Sequence, residues 1–458
     1  MQTISNFLSS MNSIVWGLPM VLFLFGTHLF LTFRLGFVQR LIPRGIRYSL
    51  HRNPDSPGEV SPLGALTTAL AATIGVGNIF GVAGAVAVGG PGAVLWMWLT
   101  GVFGTATKYS ECLLSVKYRI QTPDGRYVGG PMYVLDRKLK LKPLAMLFAA
   151  LTSLAAFGIG NMVQSNTLSG MVARISTPAD GLPAVPAAFT GAVLTVLTAL
   201  VILGGIKSIA KVCSYLVPFM ASIYVLGCLV ILVRNAAVLP ETFMLILRGA
   251  WQGQAAVGGF AGALLAKTIQ MGIARGLFSN EAGMGSSPIV AAAAKTGDPV
   301  RQALVSATAT FWDTVVICLM TGLVVVSSGQ WMNTSDKQEL SELAFGQLPV
   351  FGPFILTFGL MTFVLSTILG WSYFGERAAE YLLGPRVVKP YRVLWVLAVM
   401  AGSLVKLELV WDFADVLNAL MAVPNLISLL LLNGVVASET RRYLRGEPPE
   451  VMAASLPG

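Results

Sequence analysis

The sequence predicts an all-α polytopic membrane protein of about eleven transmembrane helices, built as a five-plus-five inverted repeat behind one extra N-terminal helix. Three observations carry this prediction. The 458 residues are 55% hydrophobic and 11% charged, whereas a globular chain is about one quarter charged. Lysine and arginine fall almost entirely in alternate loops. Two long apolar segments, Ala69–Gly81 and Lys267–Gly285, are broken by glycine and polar residues and sit in corresponding places of the two halves.

Spanning the bilayer takes about 20 apolar residues, more if the helix is tilted or broken. Segments are expected at 14–33, 62–88, 91–116, 143–171, 184–204, 210–233, 256–294, 300–328, 350–383, 391–406 and 412–437. With the N-terminus outside, 23 basic residues fall in inner loops and 5 in outer ones, leaving Lys108, Lys267 and Arg275 at membrane depth. That asymmetry follows the positive-inside rule and places the C-terminus in the cytoplasm. The expectation is one multi-pass transporter domain (1–458) in the inner, plasma membrane. It divides into the extra helix (14–33), a first repeat (62–233), a second repeat (256–437) and a cytoplasmic tail (438–458). Segments two and seven then open the two halves in opposite orientation, as in an inverted repeat. The polar stretch 329–349 could cap an outer vestibule.

Composition also excludes. The net charge of +10 lies between apolar segments, not on a basic soluble face that would fit nucleic acid. Cys112, Cys213, Cys228 and Cys318 lie within apolar runs and read as small hydrophobes. Two histidines rule out a His-rich metal site. The N-terminus lacks the basic region of a cleavable signal peptide. No HExxH, GxSxG or GxxxxGK[ST] pattern occurs, which argues against an intramembrane enzyme or an ATP-driven pump. A channel would be expected to form a ring around a short repeated filter, whereas here the breaks sit in one chain. No organic cofactor is expected, and oligomeric state is left open.

Backbone groups in lipid must be paired, so a broken helix persists only where it lines a cavity or holds an ion or substrate. In segment two, Gly75 and Gly77 let the chain leave helical geometry without a Cβ penalty. The freed amides of Gly75, Val76 and Gly77 then start the outer half-helix with its positive dipole end, which suits a carboxylate. Freed carbonyls of the inner half suit Na⁺. The alternative is that these glycines only allow close helix packing.

The run Ala71–Asn78, followed by Gly89–Trp98, resembles the alanine or glycine:cation symporter family. So do Gly129–Tyr133, Gly158–Asn166 and Gly276–Pro288. The resemblance spans nearly the whole chain. It implies the leucine-transporter (LeuT) fold and sodium- or proton-coupled uptake of a small neutral amino acid, alanine or glycine. A larger neutral substrate such as serine or glutamine is the alternative. The only other partner expected is membrane lipid.

The likeness also implies roles. The carbonyls of Ala71 and Ile74 would hold the cation. Asn78 would bind cation or substrate, and Thr73 would face the substrate. The run Phe363–Trp371 places adjacent hydroxyls at Ser366 and Thr367, similar to the pair completing a sodium site in LeuT-fold proteins, with Phe363 in the same set. Trp371, one turn on, would wall the pocket and exclude larger side chains. The alternatives are hydroxyls bonded back to their own helix and an interfacial tryptophan.

Segment seven has two possible breaks, one at mid-depth near Gln270–Gly276 and one at the glycine-dense Gly283–Gly285 nearer the inner end. The register favoured places Thr268, Gln270, Met271 and Gly272 at the substrate and Phe278 to Ser287, with Asn280, at an inner gate. Arg275 and Glu281, ionisable at membrane depth, form either a gate ion pair or a structural one. Lys108 and Glu111, at i and i+3, are expected to neutralise each other. Asp313 either carries a proton or Na⁺, or holds a polar contact. In segment four, Phe157 or Asn161 touches the substrate, or the stripe with Gln164 and Asn166 serves interhelical hydrogen bonds.

Overall fold

Proline and serine set the helix starts, and glycine sets how closely the helices approach. A computed structural model describes residues 11, 15–51, 55–177, 184–252, 261–405 and 408–449, without the side chains of 261–264, 408–410, 412 and 413. Expectations resting on residues 14, 52, 256–260, 406 and the tail from 450 lie outside the described residues.

Helix α1 (Leu18–Arg34) is followed, after a bend of 68°, by a short basic amphipathic helix α2 (Ile42–Ser49). Segment two is two helices, α3 (Pro62–Thr73) and α4 (Phe80–Gly89), bent by 64°. The hydroxyl of Ser61 caps α3 by accepting from the Gly64 amide at 3.0 Å. Then come α5 (Ala93–Lys117), a hairpin of β1 (Ile120–Gln121) and β2 (Tyr127–Val128), α6 (Lys142–Ile175), α7 (Ala187–Ile202) and α8 (Gly205–Arg234).

The second half begins with α9 (Leu239–Gln252), which the loop reading did not anticipate. It continues with α10 (Ala261–Asn280), α11 (Ser287–Ala291) and α12 (Pro299–Ser327). The polar stretch 329–349 holds α13 (Lys337–Phe345), capped by Asp336. Next are α14 (Phe351–Leu383), α15 (Val388–Leu404), α16 (Glu408–Leu431) and α17 (Asn433–Leu444). Six described helices are long and apolar enough to cross a membrane, or up to eight if each bent pair is one span.

The loops sort to two ends of the bundle. At one end Tyr48 meets Tyr443 (2.7 Å), Lys117 pairs with Glu439 (2.5 Å), and Arg126 with Glu380 (2.8 Å). At the other, the Trp96 indole donates to the Ala250 carbonyl (2.9 Å) and Asn235 to Gln347 (2.8 Å). Arg174 there pairs with Glu342. Glycine allows the closest approaches inside the bundle. A Cβ at Gly370 of α14 would lie 2.6 Å from the Ala72 amide of α3, and one at Gly276 of α10 would lie 2.0 Å from the Thr100 hydroxyl of α5. Small residues at helix crossings are how membrane bundles gain contact without a hydrophobic drive between helices.

Candidate substrate and cation site

The break in segment two is built by redirecting three amides. In a continuous helix the amides of Gly75, Val76 and Asn78 would return to the carbonyls of Ala71, Ala72 and Ile74. Instead the Gly75 amide donates to the Asn78 side-chain oxygen (2.9 Å), and that of Val76 to the Gln164 side-chain oxygen (3.3 Å). The Asn78 amide donates to the Gly75 carbonyl (3.1 Å), closing a 3₁₀ turn over Val76–Asn78. The carbonyls of Ala71, Ala72 and Ile74 thus lose their helical donors at one point of the bilayer-spanning path.

Helix α14 meets that point. The Thr367 hydroxyl lies 3.1 Å from the Ile74 carbonyl and 2.8 Å from that of Phe363. The Ser366 hydroxyl lies 2.9 Å from the Phe363 carbonyl and 3.5 Å from that of Ile74. Two carbonyls and two hydroxyls converge, all buried, with Ala71 one turn back on α3. The set is neutral and all-oxygen, which is what a hard cation takes. Among the described residues no group of three or more His, Cys, Asp or Glu could hold a metal ion.

Beside it lies a small cavity lined by Ala72, Thr73, Gly75, Gly77, Ile159, Gln164, Phe278, Glu281, Thr367 and Trp371. Its free space is about 10 Å³ for the centre of a water-sized sphere, close to the least that admits one water. The cavity is therefore closed around its walls. Trp371 is fully buried against α6, where a Cβ at Gly160 would lie 2.2 Å from the Trp371 Cβ. Glycine at 160 is what lets the indole reach the cavity. Phe278 and Gly77 line both this cavity and a larger vestibule of about 270 Å³. Arg275, Lys337 and Trp411 also face the vestibule, and α13 lies over it.

Several expected residues lie elsewhere. Asn78 does not line the cavity: its amide nitrogen donates to Asp313 (2.7 Å) and Ser279 (3.1 Å), so it fastens the break to α10 and α12. Asp313 also accepts from Ser279 (2.8 Å) and Thr314 (2.7 Å). Val76 lies at the break outside the cavity lining. Phe157 packs on Tyr391 and Trp395, with ring centroids 5.0 and 5.3 Å away. Asn161 and Asn166 donate to backbone carbonyls of α15 and its end, those of Trp395 and of Gly402 and Val405. The segment-four stripe is thus mainly interhelical, and only Gln164 of it reaches the cavity.

The register of segment seven needs correction. Helix α10 runs unbroken to Asn280, and the break falls at 281–286, where Glu281, Gly283 and Gly285 take positive φ (53°, 86° and 83°). Thr268 instead donates to the Gly89 carbonyl (2.6 Å), and Gln270 to that of Trp16 (3.1 Å). A Cβ at Gly272 would lie 2.5 Å from the Ala93 carbonyl, and Met271 faces the vestibule. All four sit away from the cavity, toward the end that carries α13. Phe278 lies between cavity and vestibule, on the side that carries α13. Asn280 caps the break by accepting from the Ala282 amide (2.9 Å).

Arg275 and Glu281 form no ion pair. The Arg275 guanidinium stands over the Phe278 ring at 5.8 Å, on the vestibule side. The Glu281 carboxylate accepts from the Trp371 indole (3.1 Å) and the Ser286 hydroxyl (2.5 Å). Lys108 donates to the Glu281 carbonyl (3.1 Å) and the Ser287 hydroxyl (2.9 Å), and lies 3.4 Å from Glu111.

Away from the vestibule, the chain is tied shut. The Glu59 amide donates to the Ala293 carbonyl (2.8 Å) and the Lys295 amide to that of Val60 (2.7 Å). Arg119 donates to the carbonyls of Pro57, Ala292, Ala294 and Thr296 at 2.8–3.0 Å. Burial pulls its guanidinium down to about 10, still charged at neutral pH. Sequence reading missed this clasp because its acceptors are backbone atoms, which no side-chain motif announces.

A broken helix crossing a hydroxyl-bearing one, around a closed cavity with a vestibule beyond Phe278, is the arrangement of a membrane carrier of the LeuT fold. The chain belongs to the sodium:alanine symporter family, whose sequence profile matches residues 1–451. It is 48% identical over 446 residues to the sodium/alanine symporter AgcS of Methanococcus maripaludis, covering 95% of this chain and 96% of that one. It is 46% identical over 448 residues to an uncharacterised transporter of Haemophilus influenzae, covering 97% of each. In fold it is similar to MhsT, solved in complex with L-phenylalanine, with a TM-score of 0.59 at 14% identity, covering 86% of this chain and 94% of MhsT.

Proposed function

We propose that the chain carries a small neutral amino acid, alanine or glycine, into the cell together with Na⁺ by alternating access. The observation that carries this reading is the convergence of the Ile74 and Phe363 carbonyls with the Ser366 and Thr367 hydroxyls beside a cavity walled by Trp371. Na⁺ sits on those oxygens and on Ala71, and draws α3 to α14. The amino acid sits between the break of α3–α4 and Trp371, with its carboxylate toward Gly77 and Thr73, since the Gly75 and Val76 amides are held by Asn78 and Gln164. The tight walls favour small side chains.

In this reading the N-terminus and the α13 end face outward and the Arg119 clasp faces the cytoplasm. The sorting of loops to two ends supports it, as does the excess of basic residues at the clasp end. The two repeats, 62–233 and 256–437, rock about the site. Phe278 is the thin outer gate and the clasp the thick inner one. The work comes from the gradient, about 2.3 kcal/mol per charge per 100 mV plus the Na⁺ concentration difference.

The test is counterflow uptake of radiolabelled alanine into proteoliposomes with and without an inward Na⁺ gradient. Saturable uptake that needs Na⁺ is expected. Uptake driven equally by a pH gradient in Na⁺-free buffer would move the coupling to H⁺ and to the buried carboxylates. No uptake of alanine or glycine under either gradient would overturn the substrate.

A further inference from the structure

Glu281 is the one ionisable side chain among the ten that line the cavity. Both its present partners, Trp371 and Ser286, are neutral donors. A carboxylate offers about four acceptor positions, so two bonds leave it unsaturated. Its charge is also poorly matched. Lys108 is the buried cation in contact, and its ammonium rests on the Glu281 backbone carbonyl and beside Glu111. Asp313, on the far side of Ser279, is held by neutral donors as well. One buried cation thus faces three buried carboxylates. Arg275 lies on the vestibule side of Phe278. Uncompensated carboxylate at membrane depth is expensive, and a ligand that brings positive charge relieves it.

We infer that Glu281 receives the α-ammonium group of the transported amino acid, and so distinguishes it from hydroxy or unsubstituted carboxylic acids of the same size. This rests on the symport reading above. An ammonium group has three donors. One meets Glu281, and the freed carbonyl of Ala72 in the same cavity wall offers a second acceptor. Trp371 and Ser286 hold the carboxylate at the wall. Lys108 fixes the backbone it hangs from.

The test measures ligand-dependent thermal stabilisation of the purified full chain at saturating Na⁺, with alanine and with lactate, in which a hydroxyl replaces the amine. The natural chain is expected to prefer alanine strongly. Glu281→Gln should lose at least about tenfold in alanine affinity, the scale of a hydrogen bond to a charged group, with lactate unchanged, so that selectivity collapses. Glu281→Asp should keep the preference for alanine at lower affinity. Retained stabilisation by Na⁺ shows that each variant folds. Equal weakening of alanine and lactate would assign Glu281 to holding the break alone and overturn the inference. So would unchanged alanine affinity, or a shift confined to the Na⁺ midpoint. A natural chain that binds neither alanine nor glycine overturns the symport reading itself, whatever the variants do.

Discussion

The Trp371 indole donates to the Glu281 carboxylate at 3.1 Å, joining the middle of α14 to the break that follows α10. The same helix α14 carries Ser366 and Thr367 to the break of segment two. One helix therefore touches both interruptions, one through its hydroxyls and the other through an indole.

Changing Ser366 and Thr367 to alanine together removes two of the converging oxygens. The Na⁺ concentration for half-maximal alanine uptake should rise by at least about tenfold, since a bond to a charged group is worth about 1.5–3 kcal/mol. Uptake measured against Na⁺ checks this. An unchanged midpoint would place the ion elsewhere.

Trp371→Ala opens the cavity wall. Larger neutral amino acids such as leucine should begin to compete with labelled alanine, while alanine itself binds more weakly. A competition series ordered by side-chain volume reads the change. An unaltered order would mean that Trp371 does not set the size limit.

Gly160→Ala would push a methyl group to within 2.2 Å of the Trp371 Cβ. Overpacking of this kind costs about 1–3 kcal/mol. We expect a lower thermal midpoint and impaired uptake. Trp371→Phe should restore neither, because phenylalanine keeps the Cβ and Cγ that the new methyl meets at 2.2 and 2.3 Å.

Phe278→Ala removes the ring between the vestibule and the cavity. A cysteine placed at Thr73, within the lining, should then react several-fold faster with a small thiol reagent added from outside. Arg119→Ala should instead speed labelling of that cysteine from the cytoplasmic side, because it releases four carbonyls of the clasp. The opposite pattern would reverse the assignment of the two gates.

How much could be read beforehand depended on which atoms did the work. The break in segment two was legible because Gly75 and Gly77 mark it locally, and the hydroxyl pair at Ser366 and Thr367 because its spacing is distinctive. The register of segment seven was not. Gly272 and Gly276 looked like break points, yet they serve the close crossing with α5, while the break needs the positive φ values of Glu281, Gly283 and Gly285. Sequence shows a glycine but not which of its two uses applies. Asn78 misled in a related way. Its acceptor oxygen stays within its own turn and its donor turns to Asp313, so it holds the break together without facing the cavity. The helix α9 is hard to see in the sequence because its apolar run is short and interrupted by Glu241 and Arg248.

The Thr367 hydroxyl has one hydrogen and two carbonyls within reach. In the proposed cycle it acts as a rotor. Turned toward Phe363, it presents its lone pairs to an ion that also touches Ile74. Turned toward Ile74, it supplies the donor that the interrupted helix lost. In that cycle, the carrier that returns with ion and cargo released then leaves the Ile74 carbonyl with a donor in the middle of the bilayer. A single side-chain torsion thereby smooths the unloaded half of the cycle, and turnover should slow when Thr367 becomes valine even where saturating Na⁺ restores binding.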